Sequence, residues 1–565
     1  MNELIEMLIR RGFLWQSFEI YGGMAGFIDY GPLGNGLRRR LENLWREFFV
    51  INERAVEIDT PTVCIEDVFV ASGHAECFTD VAIQCEKCGK VLRADHYIKE
   101  KLGIDANANA IKEIIEMYNL KCDCGGDFKI FDFNLMFITT IGPGKGKRGF
   151  LRPETAQGIF IAFKRLLEYF RGKLPFGVAQ IGRAYRNEIS PRQGVIRLRE
   201  FNQAELEYFV HPKEKSHPKF HLYANDVVRL IDKYGNKYEI TLKEAVERGI
   251  IANELLAYFI GKTRRFLLRA GVDDKKLRFR QHRDDEKAHY AADCWDAEAL
   301  TSFGWIEIVG IADRTDYDLR KHMDYSGEDL SVFIQFKQPI KVKKLKIIPD
   351  IKKLGPVFRK KAKKIYEALE KLEVKDKNIK EVELEIDGEK IKVTNEFFEV
   401  KEVEEEIHGE RVVPHVIEPS FGLDRITYVI LEHSFDKDIV DGEERRVLRL
   451  KRWMAPIQVA VLPLLAKEEF IRVSLVIVEM LRNVGIYTEY DDAGSIGRRY
   501  RRFDEIGTPF CVTIDHQTLE DRTVTIRDRD TTRQVRVEID RLVPVLKELL
   551  TTEKDITEFG KLFRA

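Results

Sequence analysis

The chain has 565 residues, 33% of them charged and 44% hydrophobic, with a formal net charge of -1. That length accommodates two to four domains, each with its own core, and no apolar run reaches the roughly eighteen residues of a membrane helix. Such a balance does not advertise a nucleic-acid binder, although binding a polyanion needs a local basic patch rather than a basic average. Eight cysteines make no disulfide framework. The first residues carry Glu3 and Glu6 and no secretory apolar core, so a cytoplasmic location is expected.

In chain order, residues 2–11 read as a short helix. Tyr21 to Gly26 is glycine-rich but lacks the Lys-Ser/Thr ending of a phosphate loop, and reads as a turn feeding a strand at 27–30. Pro32 suits a helix start, and Leu37, Leu41, Leu44, Trp45 and Phe48 follow at helical spacing. Cys85-x-x-Cys88 and Cys122-x-Cys124, each trailed by glycine, have the close spacing of a zinc knuckle. Four thiolates would leave no open position, so a zinc ion there would be structural; the alternative is four reduced thiols. Cys64, Cys77, Cys294 and Cys511 are isolated and read as buried small hydrophobes. In Arg93-Ala94-Asp95-His96, the His beside an Asp reads as part of a structural ion pair.

Residues 155–171 read as helix. The stretch 177–210 reads as a β-hairpin whose turn holds Pro191 and Gly194. Residues two apart share a strand face. Arg197, Arg199, Phe201, Gln203, Glu205 and Glu207 therefore line one face, and Ile196, Leu198, Ala204, Leu206 and Tyr208 the other. One face runs from basic through aromatic to acidic, as a groove for a ligand with an anionic and a cationic end requires. Cross-strand ion pairs explain the charges but not Phe201 among them.

Residues 221–250 and 251–270 read mostly as helix around a turn at 234–236, then 277–281 as strand. His289 and the Asp293 to Asp296 stretch follow. In the strand 304–311, Glu307 sits in an apolar run, where carboxylates are paired or ligate something. Residues 337–380 are lysine-rich, with a helical stripe of Phe358, Ala362, Ile365, Leu369 and Leu372. Residues 381–393 read as a hairpin around Asp387-Gly388, 402–410 as an acidic connector, 416–421 as strand and 423–431 as helix. From Ala455 helix and strand alternate in α/β fashion.

Arg186-Asn187-Glu188, a loop, Arg197 and Phe201 resemble motif 2 of class II aminoacyl-tRNA synthetases. Gly422-Leu423-Asp424-Arg425 resembles motif 3, and Gly31-Pro32-Leu33-Gly34 with its helix and Pro61 resembles motif 1. Three motifs in order are specific where one is weak. The wording of residues 152–157, 186–191 and 418–422 is similar to the glycyl-tRNA synthetase family of the homodimeric, archaeal and eukaryotic kind.

The resemblance implies an α/β protein. Its α+β catalytic domain at 1–454 is an antiparallel sheet flanked by helices, and an α/β anticodon-binding domain occupies 455–565. Insertions fall at about 85–130 and about 325–410. The second has a basic face that either meets the tRNA acceptor arm or is simply solvated. The implied reaction joins glycine to ATP as glycyl-adenylate and then passes glycyl to tRNA. By resemblance Arg186 and Arg425 are catalytic, Arg186 holding the α-phosphate and Arg197 the outer phosphates. Phe201 and Arg425 sandwich adenine, and Glu307 helps hold Mg2+. The ATP site would take in Arg186, Asn187, Glu188, Ile196, Arg197, Leu198, Arg199, Glu200 and Phe201, then Glu307 and Ile308, then Gly422, Leu423, Asp424 and Arg425. The glycine site would take in Arg93, Glu154, Phe201, Asn202, Gln203, Ala204 and Glu205, then Glu418, Pro419, Ser420, Phe421 and Gly422. Glu154 and Glu418 could instead be bridged by arginines such as Arg152. The helix at 32–48 and the strand at 55–58 would form a dimer interface, Cys85, Cys88, Cys122 and Cys124 would hold Zn2+, and no editing domain is expected. Rival readings are another ligase on the same fold and a non-catalytic nucleic-acid-binding relative; relatives of the latter kind lose the motif arginines, which are present here.

Overall fold

Apolar residues alternating with polar ones along two long stretches build the middle of a nine-stranded sheet. The structure is a computed structural model and describes all residues except 1, 105, 107–109, 192–193, 285, 287–290, 373, 375, 441 and 564–565. His289 and part of the turn at 189–194 lie outside the described residues. The strands are β1 (Val56–Glu57), β2 (Phe176–Tyr185), β3 (Glu200–Val210), β4 (Val227–Ile231), β5 (Lys237–Thr241), β6 (Leu277–Gln281), β7 (Asp293–Thr301), β8 (Gly304–Thr315) and β9 (His415–Gly422). Their spatial order is β5-β4-β6-β7-β8-β9-β3-β2-β1, and the central run from β6 to β2 is antiparallel throughout.

Helices α1 (Pro32–Arg46), α2 (Glu254–Ala270) and α3 (Leu423–Ser434) contribute to the core against this sheet. Leu37, Leu41, Leu44 and Trp45 of α1 are buried there, so the stripe foreseen at helical spacing belongs to the chain's own core. Phe421 is the centre of an aromatic cluster with Phe49, Phe266 and Trp45, at ring separations of 4.7, 5.4 and 5.9 Å. Asn253 caps α2 by accepting from the Leu256 amide at 2.9 Å.

Several local expectations change. Residues 221–250 are not mostly helix: β4 and β5 form a hairpin there, and Gly235, at φ 88°, sits in its turn. The expected helix at 155–171 is two, Ala156–Ile161 and Phe163–Tyr169. The acidic stretch 402–410 is no connector but part of a strand, Phe398–Val412, paired with the lysine-bearing strand Val332–Pro349. Lys343 and Lys346 reach Glu402 and Glu405 at 3.0 and 3.5 Å. Opposite charges across a strand pair stabilise each other. These two strands belong to a second compact unit, Ser331–Val412. Its small core packs Ala362, Ile365 and Leu369 with Val382, Leu384 and Val393 of a hairpin.

The C-terminal part builds a six-stranded mixed sheet with its own apolar core. A buried charge cluster ties it to the segment before it. Arg445, on the strand Glu443–Leu448, bonds Asp504 at 2.9 Å as well as Asp438, and Arg527 bonds Asp504 at 2.9 Å. Asp504 is fully buried, and its two guanidinium partners are what make its charge tolerable. Asp504→Asn should therefore destabilise the C-terminal part by about 3 kcal/mol, the usual cost of breaking a buried pair. Urea unfolding followed by fluorescence checks this; an unchanged midpoint would show the cluster to be dispensable.

Candidate active site

The sheet register assembles the site. Glu205 on β3 lies opposite Ser420 on β9, which lies opposite Gly310 on β8, which lies opposite Asp296 on β7. One row on, Glu418 faces Ala312 and Ala312 faces Cys294. All of these line one cleft, which encloses about 1100 Å3 counting its open mouth. That is room for a nucleotide beside an amino acid. A Cβ on Gly310 would meet only Glu307 Oε1, at 3.9 Å, so the space above the floor is left for something other than this chain. Ile308 is an extra residue opposite β7, and past this bulge Glu307 joins the cleft wall out of phase with Gly310 and Ala312.

One end of the cleft is cationic. Arg186 follows β2 directly; its guanidinium lies 5.3 Å from the Phe201 ring and its Nε donates to Pro153 O at 3.2 Å. Arg425, in the first turn of α3, donates to Ile196 O at 2.9 Å and to Glu307 O at 2.8 Å, and reaches the Glu307 carboxylate at 3.3 Å. Arg186 thus covers the Phe201 ring. Burial raises Glu307, but Arg425, Arg186 and His282 outweigh it and hold the carboxyl below its ordinary value. Arg197 reaches the His96 ring at 3.2 Å and the Glu188 carboxylate at 3.8 Å. Burial and Arg197 push His96 down to about 4.

The other end is anionic and closed. Glu205 accepts from the Thr155 amide at 2.8 Å, from the Thr155 hydroxyl, and from Ser420 Oγ at 2.7 Å. Glu418 accepts from Arg314 Nη1 at 2.8 Å, and Arg314 lies 3.7 Å from Glu154. The arginine that bridges these carboxylates is therefore Arg314, not Arg152, whose guanidinium is spent on the Arg183 and Thr60 carbonyls. Burial pushes Glu418 up, Arg314 opposes it, and Glu205 and Glu154 raise it further, to about 8. Burial also raises Glu154, but His74 and Arg314 prevail and hold it well below the usual range. Glu207 lies deeper still. It is fully buried, neither oxygen has a hydrogen bond, and burial with Glu418 beside it lifts it well above the carboxylate range.

Other expected site residues lie apart. Arg199 binds the Glu188 and Ala25 carbonyls, and Glu200 pairs with Arg183 in a neighbouring cleft. The reason is that β3 begins only at Glu200, so the two-residue alternation fails for 196–199; Ile196 and Leu198 line the cleft along with Arg197, and Arg199 does not. Ala204, Phe421 and Leu423 are buried in the core, and Pro419 is buried beside Glu418. Asn187 bonds Leu135 O, and Arg93 pairs with Asp80 and Asp95, each at 2.8 Å. Asp424 borders the cleft, yet its oxygens are taken by Tyr30 at 2.5 Å and Asn202 at 2.6 and 3.0 Å. Sequence reading missed Arg314 because it ended the strand at 311, whereas β8 runs to Thr315. It also passed over His74; Cys294 is buried among Ala291 and Ala312 as expected, and in addition borders the cleft.

The four paired cysteines do converge. Their Sγ atoms lie within 4.8 Å of one another, with Cys85–Cys124 at 3.4 Å and Cys88–Cys122 at 3.7 Å. Tetrahedral zinc with bonds of about 2.3 Å sets sulfurs about 3.8 Å apart, so the group fits. A Cβ on Gly126 would stand 2.7 Å from Cys85 Sγ, which is why glycine follows the second pair. Cys77 is exposed and Cys64 half-exposed, against the expectation of buried hydrophobes.

Residues 143–434 match the tRNA synthetase class II core domain (G, H, P, S and T), and 458–549 match the anticodon binding domain. The fold and site are those of a class II aminoacyl-tRNA synthetase. Among curated proteins, the glycine–tRNA ligase of Archaeoglobus fulgidus is 73% identical over 100% of this chain and 99% of its own length. That of Methanothrix thermoacetophila is 53% identical over 99% and 98%, and that of Methanocaldococcus jannaschii 50% over 97% and 99%. The chain belongs to the glycine–tRNA ligase family. Among the described residues no helix is long and apolar enough to cross a membrane.

Glu418, raised in the folded state, binds its proton more tightly there than in the unfolded chain, so its contribution to stability is full below the unfolded carboxyl value and is lost as pH rises through about 8. Without substrates, the melting temperature should fall between pH 6 and 9, and Glu418→Gln should flatten that fall. Differential scanning fluorimetry across the range is the check; an equal slope in the variant would reassign the titration.

Proposed function

We propose that this chain attaches glycine to its tRNA, forming glycyl-adenylate from glycine and ATP and then transferring glycyl to the tRNA 3′ end. One observation carries the reading: three guanidiniums and a group of carboxylates face one cleft from opposite ends. In the first step a glycine carboxylate oxygen attacks the α-phosphorus, and pyrophosphate leaves with the bonding electron pair. The attacking carboxylate is already a nucleophile, so the step calls for positive charge around the phosphate rather than for a base. Arg186 would hold the α-phosphate and Arg197 the outer phosphates, both by forked hydrogen bonds. Phe201 would stack on adenine once Arg186 turns to phosphate, with Arg425 on the other side. Glu307, kept ionised by its arginines, would ligate the Mg2+ that accompanies ATP.

Glycine offers only its ammonium for recognition. Glu154, Glu205 and Ser420 would hold it, with Glu418 closing the end of the cleft. Arg314 neutralises only part of this charge, so a cation is still attracted. The site favours a glycine-class substrate over the rival of a non-catalytic relative, because Arg186, Glu188, Arg197 and Arg425 are all kept and all face the cleft. We further propose a structural Zn2+ on Cys85, Cys88, Cys122 and Cys124, a homodimer across α1 and β1, tRNA contact by the lysine-rich unit, and a cytoplasmic location. Ile51, Val63 and Ile65, exposed beside β1, support an interface there.

Arg186→Ala should lower ATP–pyrophosphate exchange with glycine by roughly 100- to 1000-fold, the range seen when one charge-stabilising donor is lost. Circular dichroism should be unchanged. Exchange near the wild-type rate would remove Arg186 from the α-phosphate.

A further inference from the structure

A second group of metal-ligating side chains stands on the cleft wall, apart from the four paired cysteines. His282 follows β6, while Cys294 and Asp296 lie two apart on β7 and so share its cleft-facing side. The His282 amide donates to Cys294 O at 2.9 Å, which fixes the imidazole beside that strand. One nitrogen, one sulfur and one oxygen from the three side chains lie within 4.8 Å of one another. Cys294 and Asp296 are buried, and His282 is largely so. Nδ1 has no hydrogen-bond partner, while Nε2 stands 2.8 Å from the Asp296 carboxylate. A largely buried imidazole nitrogen without a partner is costly, and a cation held beside the Asp296 carboxylate would relieve it. Arg280 also reaches Asp296, at 3.1 Å, and steadies that carboxylate from the side of β6.

We propose that His282, Cys294 and Asp296 form a three-ligand site for a zinc-class divalent cation, with its open coordination position toward the cleft. Three protein ligands and one open position are the pattern of zinc sites that exchange ligands, in contrast to closed four-thiolate sites. The donor set argues against Mg2+, which takes oxygen ligands, whereas thiolate and imidazole select the softer, zinc-like ions. On binding, the Cys294 thiol gives its proton to solvent and the sulfur donates its electron pair to the metal. This site is separate from the proposed Mg2+ position at Glu307, although both border one cleft.

The test uses the full chain, stripped with a chelator and dialysed against zinc chloride, with bound metal counted by mass spectrometry. Cys294→Ser and His282→Ala should each hold one zinc equivalent fewer than the wild type, whatever the four-cysteine site contributes. Equal zinc content in all three proteins would overturn the proposal. Anomalous diffraction at the zinc edge from wild-type crystals needs no variant: a peak between His282, Cys294 and Asp296 is expected. Absence of a peak there, with or without one at the four cysteines, would overturn it.

Discussion

The site depends on one buried guanidinium. Arg314 is almost wholly shielded from water, yet it binds Glu418 and both oxygens of Asp318 at 2.8 Å. Gln157 bridges Asp318 to Glu154 at 2.9 Å on each side, and His322 meets the same glutamine at 2.9 Å. Buried carboxylates this close cannot all stay charged without a cation. A single guanidinium contacts two of them, Glu418 is driven towards its protonated form, and that leaves Glu154 ionised and Glu205 held by neutral donors. The pocket keeps more carboxylate charge than its guanidinium offsets, and a primary ammonium is a cation of matching size. At an effective dielectric of 20, one ion pair at 4 Å is worth about 4 kcal/mol, enough to order an amino acid with no side chain to grip.

Register is the second constraint. The floor residues Glu205, Ser420, Gly310 and Asp296 come from four strands, and their alignment holds only if every pairing is in phase. A slip of one residue in β9 would turn Phe421 into the cleft and Ser420 into the core. The aromatic cluster of Phe421 with Trp45, Phe49 and Phe266 guards against this, because moving it would expose the ring and open a cavity. The core on one face thereby fixes the chemistry on the other.

What could be read from the sequence follows this division. The strand alternation of Phe201, Gln203 and Glu205 and the order of the three motifs were legible, because both are local patterns. The fold class was legible for the same reason. Arg314 was not, since its partners Glu154 and Glu418 lie more than a hundred residues away on either side and only the sheet brings them together. Arg197 lies on the cleft with Phe201, Gln203 and Glu205 as the alternation expected, but Arg199 was misplaced there because the chain is not yet a strand at that point. The helix expected at 221–250 failed where β4 pairs with β5 on one side and with β6 on the other, a tertiary contact that overrides local preference.

The cationic end shows how far the site is organised before any ligand arrives. Arg186 is held by a carbonyl and two aromatic faces, Phe78 and Phe201 at 5.3 Å each. Arg425 is held chiefly by backbone carbonyls, and Arg197 by a histidine that stays neutral at physiological pH. Such partners orient a guanidinium without cancelling its charge. As built, Arg186 is oriented by a carbonyl and two rings, Arg425 and Arg197 also meet the Glu307 and Glu188 carboxylates at 3.3 and 3.8 Å, and the cost of arranging the three is met largely during folding rather than during reaction. The contrast with the anionic end is sharp: there Arg314 is fully committed to carboxylates and cannot serve a phosphate. The same residue type performs opposite tasks in one cleft, and what separates them is how fully the guanidinium is committed to carboxylates.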